Sequence, residues 1–193
     1  MQEFDLETEK ILKELEKTRK DFWNLDRDCA SFLYELLLIK NAKKVLEIGT
    51  SNGYSGIWIL KALEITKGKL TTIEFWEKRQ SCARKYFSSL SLNDYVEPKI
   101  GSAVVVLEDL LDEIKHNKRE KYDFIFIDAN KKEYLDYFKL ADKMLDHKGV
   151  ILADNILSHK EKVKNYTEEL FNNSNYFSTV LEIGTGMMLS VKI

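Results

Sequence analysis

Four short stretches of the 193-residue chain combine residue types that can do chemistry. The first is Glu47-Ile-Gly49-Thr-Ser-Asn-Gly53, which closes an apolar run. Glycines in such a turn let the backbone bend tightly and approach a ligand without side-chain interference. A dinucleotide fingerprint, G-x-G-x-x-G, would need glycine at position 51, where the chain has Ser51. An acidic residue ahead of G-x-x-x-G suits a nucleoside ligand that lacks a pyrophosphate. The second stretch ends in Glu74, 21 positions beyond Gly53. A carboxylate there can accept hydrogen bonds from ribose hydroxyls, and would serve NAD equally well. The third is Asp128-Ala-Asn-Lys131 and the fourth Asp154-Asn155. If both close neighbouring parallel strands, about 4.8 Å apart, two carboxylates and an amide oxygen surround one point. Like charges held there repel, and a hard divalent cation such as Mg²⁺ resolves the repulsion. The competing reading is that Asp154 or Asn155 caps the next helix.

These residues need elements to position them. Apolar residues at helical spacing put Phe4, Ile11, Leu15 and Phe22 on one stripe, and Cys29, Phe32, Leu33, Leu36 and Leu37 on another. Two helices therefore precede the first strand, Lys44–Ile48. Further strands are expected at Leu70–Glu74, Tyr95–Ile100, Tyr122–Asp128 and Val150–Ala153. Helices between them run through Ile57, Leu60 and Leu63, through Cys82, Tyr86 and Leu90, over Ala103–Lys115, and through Tyr134–Leu145. Such alternation indicates an α/β fold, a parallel sheet with helices on both faces. In such sheets ligands bind beyond the carboxyl ends of the strands, where all four stretches fall. After a helix near Glu161–Phe171, the runs Phe177–Ile183 and Met187–Ile193 are separated only by Gly184-Thr-Gly186, so this last pair is expected to be antiparallel.

Composition narrows the classes. With 30 Lys+Arg against 32 Asp+Glu the net charge is −2, which argues against a protein that works by coating nucleic acid or anionic membrane. Two cysteines, Cys29 and Cys82, make no disulfide framework and no zinc spacing, and a reducing compartment is expected. The charged first residues differ from a secretory signal, and no apolar run nears the roughly 20 residues of a spanning helix. A cytoplasmic protein of one domain over 1–193 is expected, with helices over 1–40 and a binding and catalytic core over 41–193. One proline, Pro98, and 8 glycines leave few breakers, so each glycine invites a question.

Leu46-Glu-Ile-Gly-Thr-Ser-Asn-Gly-Tyr-Ser55, Phe126-Ile-Asp-Ala-Asn-Lys131 and Ala153-Asp-Asn-Ile-Leu157 together resemble the cation-dependent O-methyltransferases, the family of the catechol and caffeoyl-CoA enzymes. The resemblance runs from about Leu25 onward. It implies a Rossmann-like, seven-stranded, mostly parallel sheet with an antiparallel last strand, and S-adenosylmethionine as methyl donor. It also implies that Glu47, Gly49, Gly53, Ser55, Glu74, Ala103 and Asp128 belong to the cofactor site, with Glu74 on the ribose and Ala103 near the adenine. Asp128, Asp154 and Asn155 become the ligands of Mg²⁺, or of Mn²⁺ or Ca²⁺, and Lys131 the catalytic base. A dication lowers the pKa of a bound hydroxyl, and depresses that of a nearby lysine otherwise near 10.4.

The implied acceptor is a hydroxyl of a small catechol-like aromatic, and a hydroxylated tRNA nucleoside is the alternative. A homodimer is expected, and no membrane partner. An NAD-dependent oxidoreductase is disfavoured by Ser51, and a non-catalytic cofactor-binding protein by the presence of Asp128, Lys131, Asp154 and Asn155 together. The chain departs from the family at Asn130, where many relatives carry a second aspartate, and at Thr185, where they carry Gly-Asp-Gly. About 30 residues separate Asn155 from that last motif, leaving an acceptor pocket that is open or is completed by a partner chain. Plainer readings suit other residues. Lys115–Lys121 reads as a solvated loop, His159 as a surface histidine starting a helix, and His116 and His147 as loop residues. Trp58 reads as core and Met187-Met188 as strand packing. Trp76 could pack beside an adenosine, and Trp23 and Tyr54 could border the acceptor.

Overall fold

A computed structural model describes residues 4–193. Seven strands form one sheet in the order β3-β2-β1-β4-β5-β7-β6. They are β1 (Lys44–Ile48), β2 (Lys69–Glu74), β3 (Val96–Ile100), β4 (Tyr122–Ile127), β5 (Leu145–Ala153), β6 (Tyr176–Leu181) and β7 (Met187–Lys192). The inner strands are apolar on both faces, as a parallel sheet covered on both sides requires, and Val45, Leu46, Phe124, Ile125, Phe126 and Ile127 are all buried. Pro98 sits on β3, which pairs only with β2, so its missing N–H interrupts no inner ladder. β7 enters between β5 and β6 and runs antiparallel to both.

Side chains alternate between two cores. On one face β1, β4 and β5 bury Val45, Phe124, Phe126 and Leu152 against α1 (Leu6–Lys17), α3 (Arg27–Lys40), α4 (Tyr54–Thr66) and α5 (Glu77–Ser89). On the other, Leu46, Ile48, Ile125, Ile127 and Ile151 meet α6 (Ala103–Lys115), α7 (Tyr134–Met144) and α8 (Lys160–Asn172). Trp58 lies in the first core, and Met187 and Met188 divide between the two.

Three details differ from the sequence reading. The stripe from Phe4 to Phe22 is two helices, because α1 stops at Lys17 and a single turn, α2 (Arg19–Phe22), follows. The Leu15 carbonyl receives the Thr18 hydroxyl at 2.8 Å and Asn24 Nδ2 at 2.8 Å. Side-chain donors thus satisfy the end of α1 and let the chain turn. β5 begins at Leu145 rather than Val150, taking His147 out of a loop and into a strand. The 116–121 segment is not merely solvated. Arg119 reaches inward to Glu113 and Glu97 at 2.6 and 2.9 Å and to the Tyr122 hydroxyl, tying this loop to β3 and β4. His159 caps the start of α8, as the sequence reading expected, and the competing reading of Asp154 or Asn155 as that helix's cap does not hold.

Removing the Asn24 amide in Asn24→Ala is expected to cost about 1 kcal/mol in urea denaturation. Amide exchange should accelerate across residues 18–26 while the sheet stays protected.

Candidate active site

The registers of four strands bring the chemical residues to one level. Ile48 pairs with Ile73 on one side and Ile127 on the other, and Ile127 pairs with Ala153. The next residues, Glu74, Gly49, Asp128 and Asp154, therefore form one row across the carboxyl end of the sheet. Backbone bonds extend the ladders into that row: Gly49 N–H donates to Ile73 O, Asp128 N–H to Ile48 O and Asp154 N–H to Ile127 O, at 2.9–3.0 Å.

Gly49 has φ +106°, and a Cβ there would lie 2.1 Å from the Asp128 carbonyl oxygen. The glycine is thus demanded by the neighbouring strand end as well as by the turn. Past it, Ser51 N–H donates to Glu74 Oε2 at 2.8 Å and Trp76 N–H to Oε1 at 2.9 Å. Two amides hold the Glu74 carboxylate at the wall, and each oxygen keeps a lone pair for a ligand hydroxyl. Glu47 lies fully buried behind this wall. It accepts hydrogen bonds from Ser55 Oγ at 2.6 Å and Thr72 Oγ1 at 2.5 Å, and Thr50 Oγ1 lies 2.5 Å from Thr72 Oγ1. Burial pushes the Glu47 carboxyl up to about 7 against the pull of those two hydroxyls.

A cavity of about 470 Å³ opens over the row, with Gly49, Ser55, Glu74, Ala103 and Asp128 in its lining. Glu47 and Gly53 are not in that lining; Gly53 starts α4 and packs on Ala83. Trp76 and Tyr54 also line this cavity, and Tyr54 donates its hydroxyl to Glu16 at 2.8 Å. A second cavity of about 700 Å³ is lined by Asp154, Asn155, Thr185 and His159. Trp23, Asn24, Leu25, Ala129, Asn130 and Lys131 line both. Lys131 is the sole titratable side chain shared by the two, and its Nζ lies 2.8 Å from Asp128 Oδ1.

On the second side, Thr185 Oγ1 donates to Asp154 Oδ1 at 2.7 Å and accepts from Asn155 Nδ2 at 3.1 Å. The threonine in the Gly-Thr-Gly turn therefore orients both residues. With the Asn155 N–H₂ spent on Thr185, the hard donor left on that side chain is its oxygen. The Asp154 carboxyl is pushed well above the usual carboxylate range by burial and then by the charge of Asp128. The His159 imidazole is pushed down by partial burial and by the charges of Lys131 and Lys162.

The sequence reading put Trp23 at the acceptor border but missed Asn24 and Leu25 as walls shared by both cavities, and Phe22 and Arg79 as walls of the first. The Arg79 guanidinium stands 5.7 Å from the Phe22 ring and 5.5 Å from Trp23, and Ser51 Oγ donates to the Phe22 carbonyl at 3.1 Å. Trp23, in the left-handed region at φ 54°, is 74% exposed. The apolar stripe reaches Phe22 but does not mark residues 23–25, which become visible as a wall only when folded over the strand ends.

A family model described as O-methyltransferase matches residues 2–193. The chain belongs to the O-methyltransferase family. It is 32% identical over 157 residues to the catechol O-methyltransferase of Niastella koreensis, covering 81% of this chain and 69% of that protein. It is 33% identical to caffeoyl-CoA O-methyltransferase 2 of Petunia hybrida, covering 76% of this chain and 61% of the relative. Among solved structures, the O-methyltransferase of Bacillus cereus in complex with S-adenosylhomocysteine superposes with a TM-score of 0.83 at 28% identity, covering 99% and 92% of the two chains. TomG of Streptomyces achromogenes, solved with S-adenosylmethionine, gives 0.83 at 25% identity, covering 98% and 91%. These relatives and neighbours are S-adenosylmethionine-dependent O-methyltransferases, and this chain is an enzyme of that class. Among the described residues no helix is long and apolar enough to cross a membrane.

The buried glutamate gives this O-methyltransferase a testable pH signature. Because the folded pKa of Glu47 lies above its ordinary value of 4.5, its contribution is full below pH 4.5 and is lost as pH rises through about 7. Glu47→Gln has no charge to bury. Its stability relative to the parent should rise between pH 4.5 and 7 by roughly 1–3 kcal/mol, then level off, in denaturant titrations across pH 4–9.

Proposed function

We propose that the chain transfers the methyl group of S-adenosylmethionine to a hydroxyl of a small catechol-like aromatic, with a divalent cation at Asp128, Asp154 and Asn155. The observation that carries this reading is the position of Lys131 in the wall common to both cavities. A donor in the smaller cavity and an acceptor in the larger would meet beside its Nζ.

The residues of the smaller cavity suit an adenosine ligand. Glu74 presents fixed carboxylate lone pairs to a ribose diol. Ala103 begins α6 without a bulky side chain, with Ile73 and Trp76 among the other walls. Asp128 on that side provides negative charge toward a sulfonium. S-adenosylmethionine supplies an electrophilic methyl group, and the relatives solved with that ligand or its demethylated product support the choice.

The donor set fits a hard cation. Among the described residues no three His, Cys, Asp or Glu side chains gather, so the third donor here is the Asn155 amide. Two carboxylates and an amide oxygen match the preferences of Mg²⁺. The raised Asp154 carboxyl marks negative charge in want of a counter-ion. When bound, the dication supplies Lewis acidity toward a hydroxyl oxygen.

The protein's own contribution is orientation and proton transfer. Entering as the neutral amine, Lys131 takes the hydroxyl proton and becomes an ammonium, the O–CH₃ bond forms as the S–CH₃ bond breaks, and a neutral thioether leaves. Asp128 steadies the amine, and Trp23, Asn24 and Leu25 cover the junction from the N-terminal side.

Lys131→Met is expected to lower kcat by roughly 10²- to 10⁴-fold while S-adenosylhomocysteine binding persists in calorimetry. Asp154→Ala, or exhaustive chelation, should abolish methyl transfer to catechol-type acceptors. A full rate after metal removal would refute the metal assignment, and a full rate in Lys131→Met would refute the proton role.

A further inference from the structure

The larger cavity carries charge that methyl transfer itself does not require. Arg19, Lys20, Lys132 and Lys162 line it in addition to Lys131. Of its two carboxylates, Asp26 pairs with Arg19 and offsets that charge within the cavity, while Asp154 is buried and receives the Thr185 hydroxyl. Lys20, Lys132 and Lys162 are exposed, and no described carboxylate forms an ion pair with them.

This is not one helix's solvated face. Lys20 comes from α2, Lys132 from the turn after β4, and Lys162 from the first turn of α8. A lysine in a first turn opposes the helix dipole, so Lys162 stands where helix stability alone would disfavour it. The chain as a whole is net −2, which makes the concentration local. Apolar walls at Trp23, Leu25 and Ala129 focus the field of charges gathered in such a cleft.

We infer that the acceptor carries an oxyanion, a carboxylate or phosphate on a small hydroxylated aromatic, seated against Lys132 and Lys162 with Lys20 facing it from α2. The inference rests on the reading of this cavity as the acceptor site and adds the acceptor's charge to it. A small molecule fits better than a polynucleotide. The positive residues line a single cleft of about 700 Å³ on a chain whose acids outnumber its bases.

The test is calorimetric, on the full chain saturated with S-adenosylhomocysteine and Mg²⁺. The probes are 3,4-dihydroxybenzoate, 3,4-dihydroxyphenylphosphonate, catechol and 3,4-dihydroxyphenethylamine. The two anions should bind about tenfold or more tightly than catechol, and the amine more weakly still. Raising the salt to about 0.5 M should shrink the difference. In Lys132→Glu/Lys162→Glu the preference should vanish or invert with S-adenosylhomocysteine affinity unchanged, and the Gln/Gln variant should fall between. The ratio of the two anions' affinities distinguishes a carboxylate from a phosphate source.

Equal binding of anion and catechol by the parent chain overturns the inference, as does a preference that survives charge reversal. So does binding of a hydroxyuridine-containing tRNA transcript through the same lysines with no affinity for the aromatic anions. The two readings fail separately. If the anion preference and its loss stand but no probe accepts a methyl group in the matched transfer assay, the proposed reaction falls and the charge assignment remains. If catechol is methylated with the kcat/KM of the benzoate, the reaction remains and the charge assignment falls.

Discussion

The site depends on strand register. Because Ile73, Ile48, Ile127 and Ala153 are level across β2, β1, β4 and β5, the residues that follow them emerge as one row. At about 4.8 Å per strand, three intervals give a platform roughly 14 Å long, the scale of a nucleoside with a short tail. A slip of one residue in any pairing would turn an aspartate or glutamate into the core and an isoleucine into the cavity. The two hydrophobic cores enforce the register, since Ile48 and Ile127 are buried on one face and Phe126 on the other.

Much of this row was legible because it is local chemistry. Apolar runs ending in Gly49, Glu74, Asp128 and Asp154 announce strands that stop where polar atoms are needed, and β/α alternation predicts that those stops share an edge. The same reasoning finds the antiparallel hairpin from the brevity of Gly184-Thr-Gly186. What stayed hidden depends on contacts distant in sequence. Nothing in Thr18 or Asn24 taken singly shows that both will converge on the Leu15 carbonyl, and so an apparently continuous stripe divides. Arg119 looks like one charge in a polar run until β3 and α6 present carboxylates to it. Gly49 was expected to make room for a ligand, and the structure shows that it makes room for the Asp128 backbone.

The two sides of the site are built differently. On the side of the smaller cavity, backbone donors hold the polar wall, and Glu74 is fixed by amides on both oxygens. On the side of the larger cavity the walls come from remote parts of the chain: the 19–26 segment, the start of α8 and the turn before β7. The first is a scaffold that suits one invariant ligand. The second can change with a few substitutions, and there this chain carries Thr185 and its ring of lysines.

The late arrival of β7 has a temporal consequence. A chain translated only through Asn155 has both carboxylates and Lys131, but not the hydroxyl that ties Asp154 to Asn155. β7 must then insert beside β5, bringing Thr185 with it, as β6 takes the outer edge. During synthesis the lining of the larger cavity is thus completed after that of the smaller one. The residues that line the smaller cavity are all translated by Tyr137, whereas the larger one waits for Thr185.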